Sequence, residues 1–149
     1  MNRFKTPATG DLFSSLSRYE PYAVALLRIV TAFLFIQHGT AKLFSVPFVD
    51  GMAGAPLTSI YGVAAILEIL GGGLVLIGAF TRVAAFILSG ELAVAYFIGH
   101  LSGAPETFLV PLHNGGESAI LFAFIFLFLA ARGAGSFALD NYLFQALDQ

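Results

Sequence analysis

Glu68 and Glu91 each stand in the middle of a long apolar run, and Arg28, His38 and Lys42 stand inside another. A charge at the centre of a bilayer costs at least about 2.5 kcal/mol. Each of these groups must therefore face protein, water or a counter-ion, or be neutralised. Carboxylates and amines so placed can lock helices together, exchange protons with a bound ligand, or relay protons. At 100° per residue, Arg28, His38 and Lys42 fall within about 80° on one helical face. Gln37 adds an amide beside His38, and Glu117 opens a further apolar run. Glu68 and Glu91 lie near the midplane and Arg28 about 9 Å in from one end; opposite charge pairs Arg28 with Glu91 or Glu68, and Lys42 or His38 with Glu117. Glu68 and His38 are the candidate catalytic residues. Arg28, Gln37, Lys42, Glu91 and Glu117 are the candidate ligand-binding residues.

Clefts lined by glycine and aromatic rings beside a few polar groups suit a quinone headgroup or a similar hydrophobic ligand. Gly71, Gly72 and Gly73 follow Glu68 by one turn, and phenylalanines recur at 122, 124, 126 and 128. Haem is not expected. His38 and His100 are matched in depth, but on a straight helix His100 lies about 180° from Glu91, so both cannot face one centre. A metal site is not expected either, because His38, His113 and Glu117 lack a ligand spacing signature. His100 and His113 fall at span ends, where water solvates them.

These residues are positioned by an all-α chain. Of its 149 residues 58% are hydrophobic and 11% charged, with no cysteine and no tryptophan, and the mean hydropathy is +0.86. Soluble domains carry about 25% charged residues, so this composition marks one polytopic membrane domain. Without cysteine, disulfides, thiol catalysis and thiolate metal sites are excluded, and no basic patch suggests nucleic acid. Four spans are expected over about 22–44, 61–81, 83–101 and 116–131, forming a four-helix bundle across residues 22–132. Residues 1–21 read as a tail and interfacial segment, in which Asp11 could cap a turn carrying Leu12, Leu16 and Tyr19. They lack the apolar core of a cleavable signal. Residues 133–149 read as a flexible glycine link and a short amphipathic surface helix. Arg3, Lys5, Arg18, Arg82 and Arg132 fall on one side, which the positive-inside rule makes cytoplasmic, with both termini.

The chain resembles the DoxX family of bacterial integral membrane proteins over about residues 27–140. The marks are RIVTAFLFIQHGTAKLF in the first span, ILEILGGGLVLIGAFTRVAAFIL across the second turn, Glu117, and RGAGSFALD after the last span. The resemblance implies a four-helix bundle in the bacterial cytoplasmic (inner) membrane, and puts weight on Arg28, His38, Lys42, Glu68 and Glu117. It also implies kinship with a subunit of thiosulfate:quinone oxidoreductase and with membrane partners of oxidative-stress enzymes. The function expected is a redox-system subunit binding a quinone in the outer half of the bundle, with a soluble or membrane redox partner. A homo-oligomer is a further expectation. The alternatives are a non-catalytic scaffold whose charges only staple helices, and a small proton-coupled transporter.

Overall fold

The structure, a computed structural model, describes residues 16–101 and 105–143. The expected Asp11 cap and most of the N-terminal tail lie outside those residues, as does the end of the C-terminal segment. Four helices make the bundle: α1 (Glu20–Phe44), α2 (Ile60–Ile77), α3 (Thr81–Ala95) and, after the four-residue α4 (Pro111–Asn114), α5 (Glu117–Arg132). A last short turn, α6, covers Asp140–Leu143. Among the described residues, three helical stretches are long and apolar enough to cross a membrane: Glu20–Phe44, Ile60–Ile77 and Thr81–His100. At 16 residues α5 is shorter than a straight crossing requires, and it packs along α3 as the fourth member. The outward faces carry Leu26, Phe33, Leu70, Phe86 and Phe124 in exposed positions. That surface fits lipid rather than water.

The helix ends follow from local chemistry. Pro21 in the first turn of α1 supplies a preset φ where no N–H is needed. The Ser59 hydroxyl caps α2 by accepting from the Gly62 amide at 3.1 Å. Gly78 ends α2 at φ +71°, a conformation in which a side chain is strained. A Cβ there would also lie 2.5 Å from Ala138 Cβ. The turn into α3 therefore falls at Gly78, and Thr81, expected as the last residue of the second span, begins the third helix.

Inside, Phe35, Val75, Leu88, Phe126 and Leu129 form the core where the four helices meet. Glycines set the spacing. A Cβ on Gly39 would stand 2.7 Å from the Ala65 carbonyl oxygen, and one on Gly72 would stand 2.7 Å from Ile36 Cγ1. Both bring α1 and α2 closer than any larger residue permits. Gly71 does the same for α2 against Leu88 of α3.

Residues 133–140 depart most from expectation. Instead of a flexible link they form a clasp across the Arg82/Arg132 end of the bundle. Ala134 and Ala138 are buried, the Ser136 amide donates to the Pro21 carbonyl, and the Leu139 and Asp140 amides donate to those of Ile77 and Gly78. The clasp supplies a missing part of α3, whose N-cap, Phe80, has no side chain that can accept. Asp140 reaches across to accept from the Phe80 amide at 2.6 Å and the Thr81 amide at 2.9 Å. Replacing Asp140 with alanine should cost about 1–2 kcal/mol, the range for a lost cap. Asparagine, with one accepting oxygen for two donors, should recover about half. Thermal unfolding in mild detergent measures both, and an unchanged Asp140→Ala midpoint would mean that the cap carries no weight.

Candidate functional site

The best-defined polar site lies at the opposite end from the clasp. Lys42, in the last turn of α1, donates through Nζ to Glu68 Oε1 at 2.5 Å, and Glu68 is only 3% exposed. A lysine side chain on a helix points back toward its N-terminus. Lys42 thereby reaches a residue of α2 that lies deeper than its own Cα. Gly39, one turn earlier, holds the two helices close enough for the contact. Glu91 of α3 lies within electrostatic range of both Glu68 and Lys42. Glu68 and Glu91 each keep one buried oxygen, Oε2, without a hydrogen-bond partner. Two carboxylates and one ammonium thus share a small space. If both acids were ionised the cluster would carry an uncompensated negative charge in an apolar surround, and that favours a shared proton or a polar guest.

Beside this cluster is a cavity of about 590 Å³ between α2 and α3, under the loop that follows α1. Lys42, Glu91 and His100 form its polar part, and Leu67, Ile87 and Val94 are among its apolar walls. Tyr61, Val63, Ile87 and Val94 are half exposed, so the cavity opens sideways on the lipid-facing surface.

The presence of His100 corrects the expectation from a straight helix. α3 continues into a π-turn over Tyr96–His100. A wide turn of this kind turns less per residue than an α-helix, and so carries its last residue, His100, part of the way round toward Glu91. Glu91 and His100, opposed on a straight helix, therefore line one cavity. A network holds the imidazole in place. His100 Nδ1 lies 3.0 Å from the Asn114 carbonyl oxygen and the ring stacks on Tyr96. Asn114 is itself tied down through Nδ2 to Thr107 Oγ1 at 3.0 Å and through Oδ1 to the Gly116 amide at 2.9 Å. Sequence reasoning left His100 out of the site because no residue spacing announces a π-turn.

The other candidates are dispersed. Arg28, fully buried, meets neither acid. It donates to five main-chain carbonyls: Val75 and Leu76 at the end of α2, and Ala134, Ser136 and Phe137 in the clasp. All five of its N–H groups are used. The expected pairing fails on depth, because Arg28 is level with Gly78, and Glu68 lies ten residues back, about 15 Å of helix rise. His38 turns to α5, its ring 5.9 Å from that of Phe122 and 6.3 Å from that of Phe35. Gln37 Nε2 bonds the Phe33 carbonyl of its own helix. Glu117 is exposed at the start of α5, and Lys42 pairs with Glu68 instead. The 80° arc that gathers Arg28, His38 and Lys42 is wide enough to face two neighbours, α2 for Lys42 and α5 for His38.

The DoxX family model matches residues 23–101, which takes in Arg28, Lys42, Glu68, Glu91 and His100. The chain belongs to the DoxX family. A protein of Haemophilus influenzae, named only "Uncharacterized protein", is 47% identical over 136 residues, covering 89% of this chain and 98% of its own length. No solved structure matches. Membership of the DoxX family agrees with the three helices, among the described residues, that are long and apolar enough to cross a membrane and with the apolar outer surface, and this is a membrane protein.

Proposed function

We propose that this DoxX protein is the membrane subunit of a redox system. It takes a quinone-type ligand, a polar ring on an apolar tail, from the bilayer into the cavity between α2 and α3. The observation that carries this reading is the pairing of a side-opening apolar cavity with Lys42 and Glu91 at its polar part. A ligand tail can lie along Val63, Leu67 and Ile87 while the ring oxygens reach the ionisable groups. Glu68 acts from behind, holding the Lys42 ammonium at a fixed place. The basic end, with Arg18, Arg82 and Arg132, is assigned to the cytoplasm of a bacterial inner membrane. The cavity then sits in the outer half, and the clasp faces the cytoplasm, where a redox partner would dock.

The scaffold reading accounts for a different set of residues. Arg28 and Asp140 lock helices and touch no cavity of the outer half, whereas Lys42, Glu91 and His100 line one. Arg28 thus staples the clasp end, while at the other end the Lys42–Glu68 pair joins α1 to α2 and also borders the cavity.

Gly90 offers the direct test. It lines the cavity, and a Cβ built on it meets nothing within 4 Å. Gly90→Leu should fill the cavity, leave the melting midpoint unchanged or slightly raised, and cut co-purified quinone at least about tenfold. Extraction of protein purified in mild detergent, followed by mass analysis, gives the readout. Undiminished quinone in the leucine variant would place any ligand elsewhere.

A further inference from the structure

We infer that His100 makes the cavity selective for the reduced, hydroxyl-bearing form of the ring, a hydroquinone rather than a quinone. This rests on the reading of the cavity as a quinone-type site and adds which form it holds. A main-chain carbonyl can only accept, so the His100 nitrogen facing the Asn114 oxygen at 3.0 Å must be the one that carries the proton. In the neutral ring the other nitrogen, Nε2, then presents a lone pair. The stack on Tyr96 and the bonds that fix Asn114 keep the ring from turning over to exchange the two.

The polar part of the cavity therefore sets an acceptor beside a donor. His100 supplies an acceptor in Nε2, and the Glu91 carboxyl group lines the same cavity. The donor is Lys42, whose Nζ gives one N–H to Glu68 and keeps two. A quinone ring has only acceptor oxygens, so it can satisfy Lys42 but leaves His100 facing a lone pair. A hydroquinone carries a donor and an acceptor on each oxygen. One hydroxyl can donate to His100 while an oxygen accepts from Lys42. A polar group left unmatched on binding loses affinity, so the hydroxylated ring should be held more tightly.

The protein in mild detergent is titrated, without oxygen, with a short-chain alkyl-benzoquinone and separately with its hydroquinone. The wild-type chain should bind the hydroquinone about tenfold more tightly, the worth of one well-made hydrogen bond. His100→Phe keeps an aromatic ring against Tyr96 and should bring the ratio to about one, chiefly by weakening the hydroquinone. His100→Gln, whose amide oxygen can still accept, should keep part of the preference and covers the case in which the phenylalanine variant fails to fold. Equal binding of both forms by the wild-type chain, or an undiminished preference in both variants, overturns the assignment to His100 while leaving the cavity reading in place. Absence of saturable binding by either form, or binding indifferent to Gly90→Leu, overturns the cavity reading and this inference with it.

Discussion

Arg28→Leu should destabilise the bundle by about 3–5 kcal/mol, the range for stripping the partner from a buried charged network. Leucine fills similar space but abandons the carbonyls of Val75, Leu76, Ala134, Ser136 and Phe137 together. The first two belong to the last turn of α2, where the helix dipole favours a cation and the Val75 carbonyl also accepts from the Gly78 amide at 3.1 Å. The other three are the main chain of the clasp, so losing Arg28 also frees the segment that presents Asp140 to α3. Arg28→Lys should recover little, because an ammonium has three donors at one point and cannot span five acceptors on two segments. Arg82 is the internal control. It bonds the carbonyls of Ala130, Ala131 and Arg132 at the end of α5, yet it is exposed, and water can replace it. Arg82→Leu should cost about 1 kcal/mol. Unfolding midpoints for the three variants in one detergent test the order, and equal midpoints for Arg28→Leu and Arg82→Leu would remove the clasp from the account of stability.

The sequence made the class of fold legible because the bilayer leaves few choices. Long apolar runs must be helices, tight connections must reverse direction, and charges within the runs must turn inward. Of the three glycines after Glu68, Gly71 and Gly72 bring helices together as expected, whereas a Cβ on Gly73 would meet nothing within 4 Å. Partner assignment was less legible, for reasons visible at three residues. By charge Arg28 pairs with an acid, but the helix of 25 residues carries it to the level of Gly78, at the far end of the 18-residue α2 from Glu68. Its true partners are carbonyls, which leave no trace in a sequence. His100 reads as a solvated span-end group, opposed to Glu91 on a straight helix, but a π-turn covers Tyr96–His100 and the Tyr96 hydroxyl donates to the Phe108 carbonyl of the following loop. Asp140 was visible within RGAGSFALD, but a cap supplied from 60 positions away is not a local signal. Side-chain class and depth are written in composition and spacing. Register, overhang and capping at a distance are settled by tertiary contact.

Lys42→Met should be as costly as Arg28→Leu, about 3–5 kcal/mol, and for the opposite reason: it leaves an acid, rather than carbonyl acceptors, without its cation. Glu68 would then share an apolar space with Glu91 without the Lys42 ammonium. Glu68→Gln should be milder, because the amide keeps volume and can still accept from Nζ. Glu68→Ala should be worse than Glu68→Gln, since it removes both and strands the ammonium. The double variant Lys42→Met with Glu68→Gln separates the pair from its surroundings. If the two side chains form one unit, the double variant should be more stable than the sum of the single losses by about 2 kcal/mol, because position 68 then carries no charge that needs the Lys42 ammonium. Ligand content divides the remaining readings. A double variant that recovers stability but stays empty of quinone would assign the ion pair to binding. One that recovers both would leave Glu91 and His100 as the groups that hold the ring. Simple additivity would mean that Lys42 and Glu68 each answer to water, and that the short contact between them carries little energy.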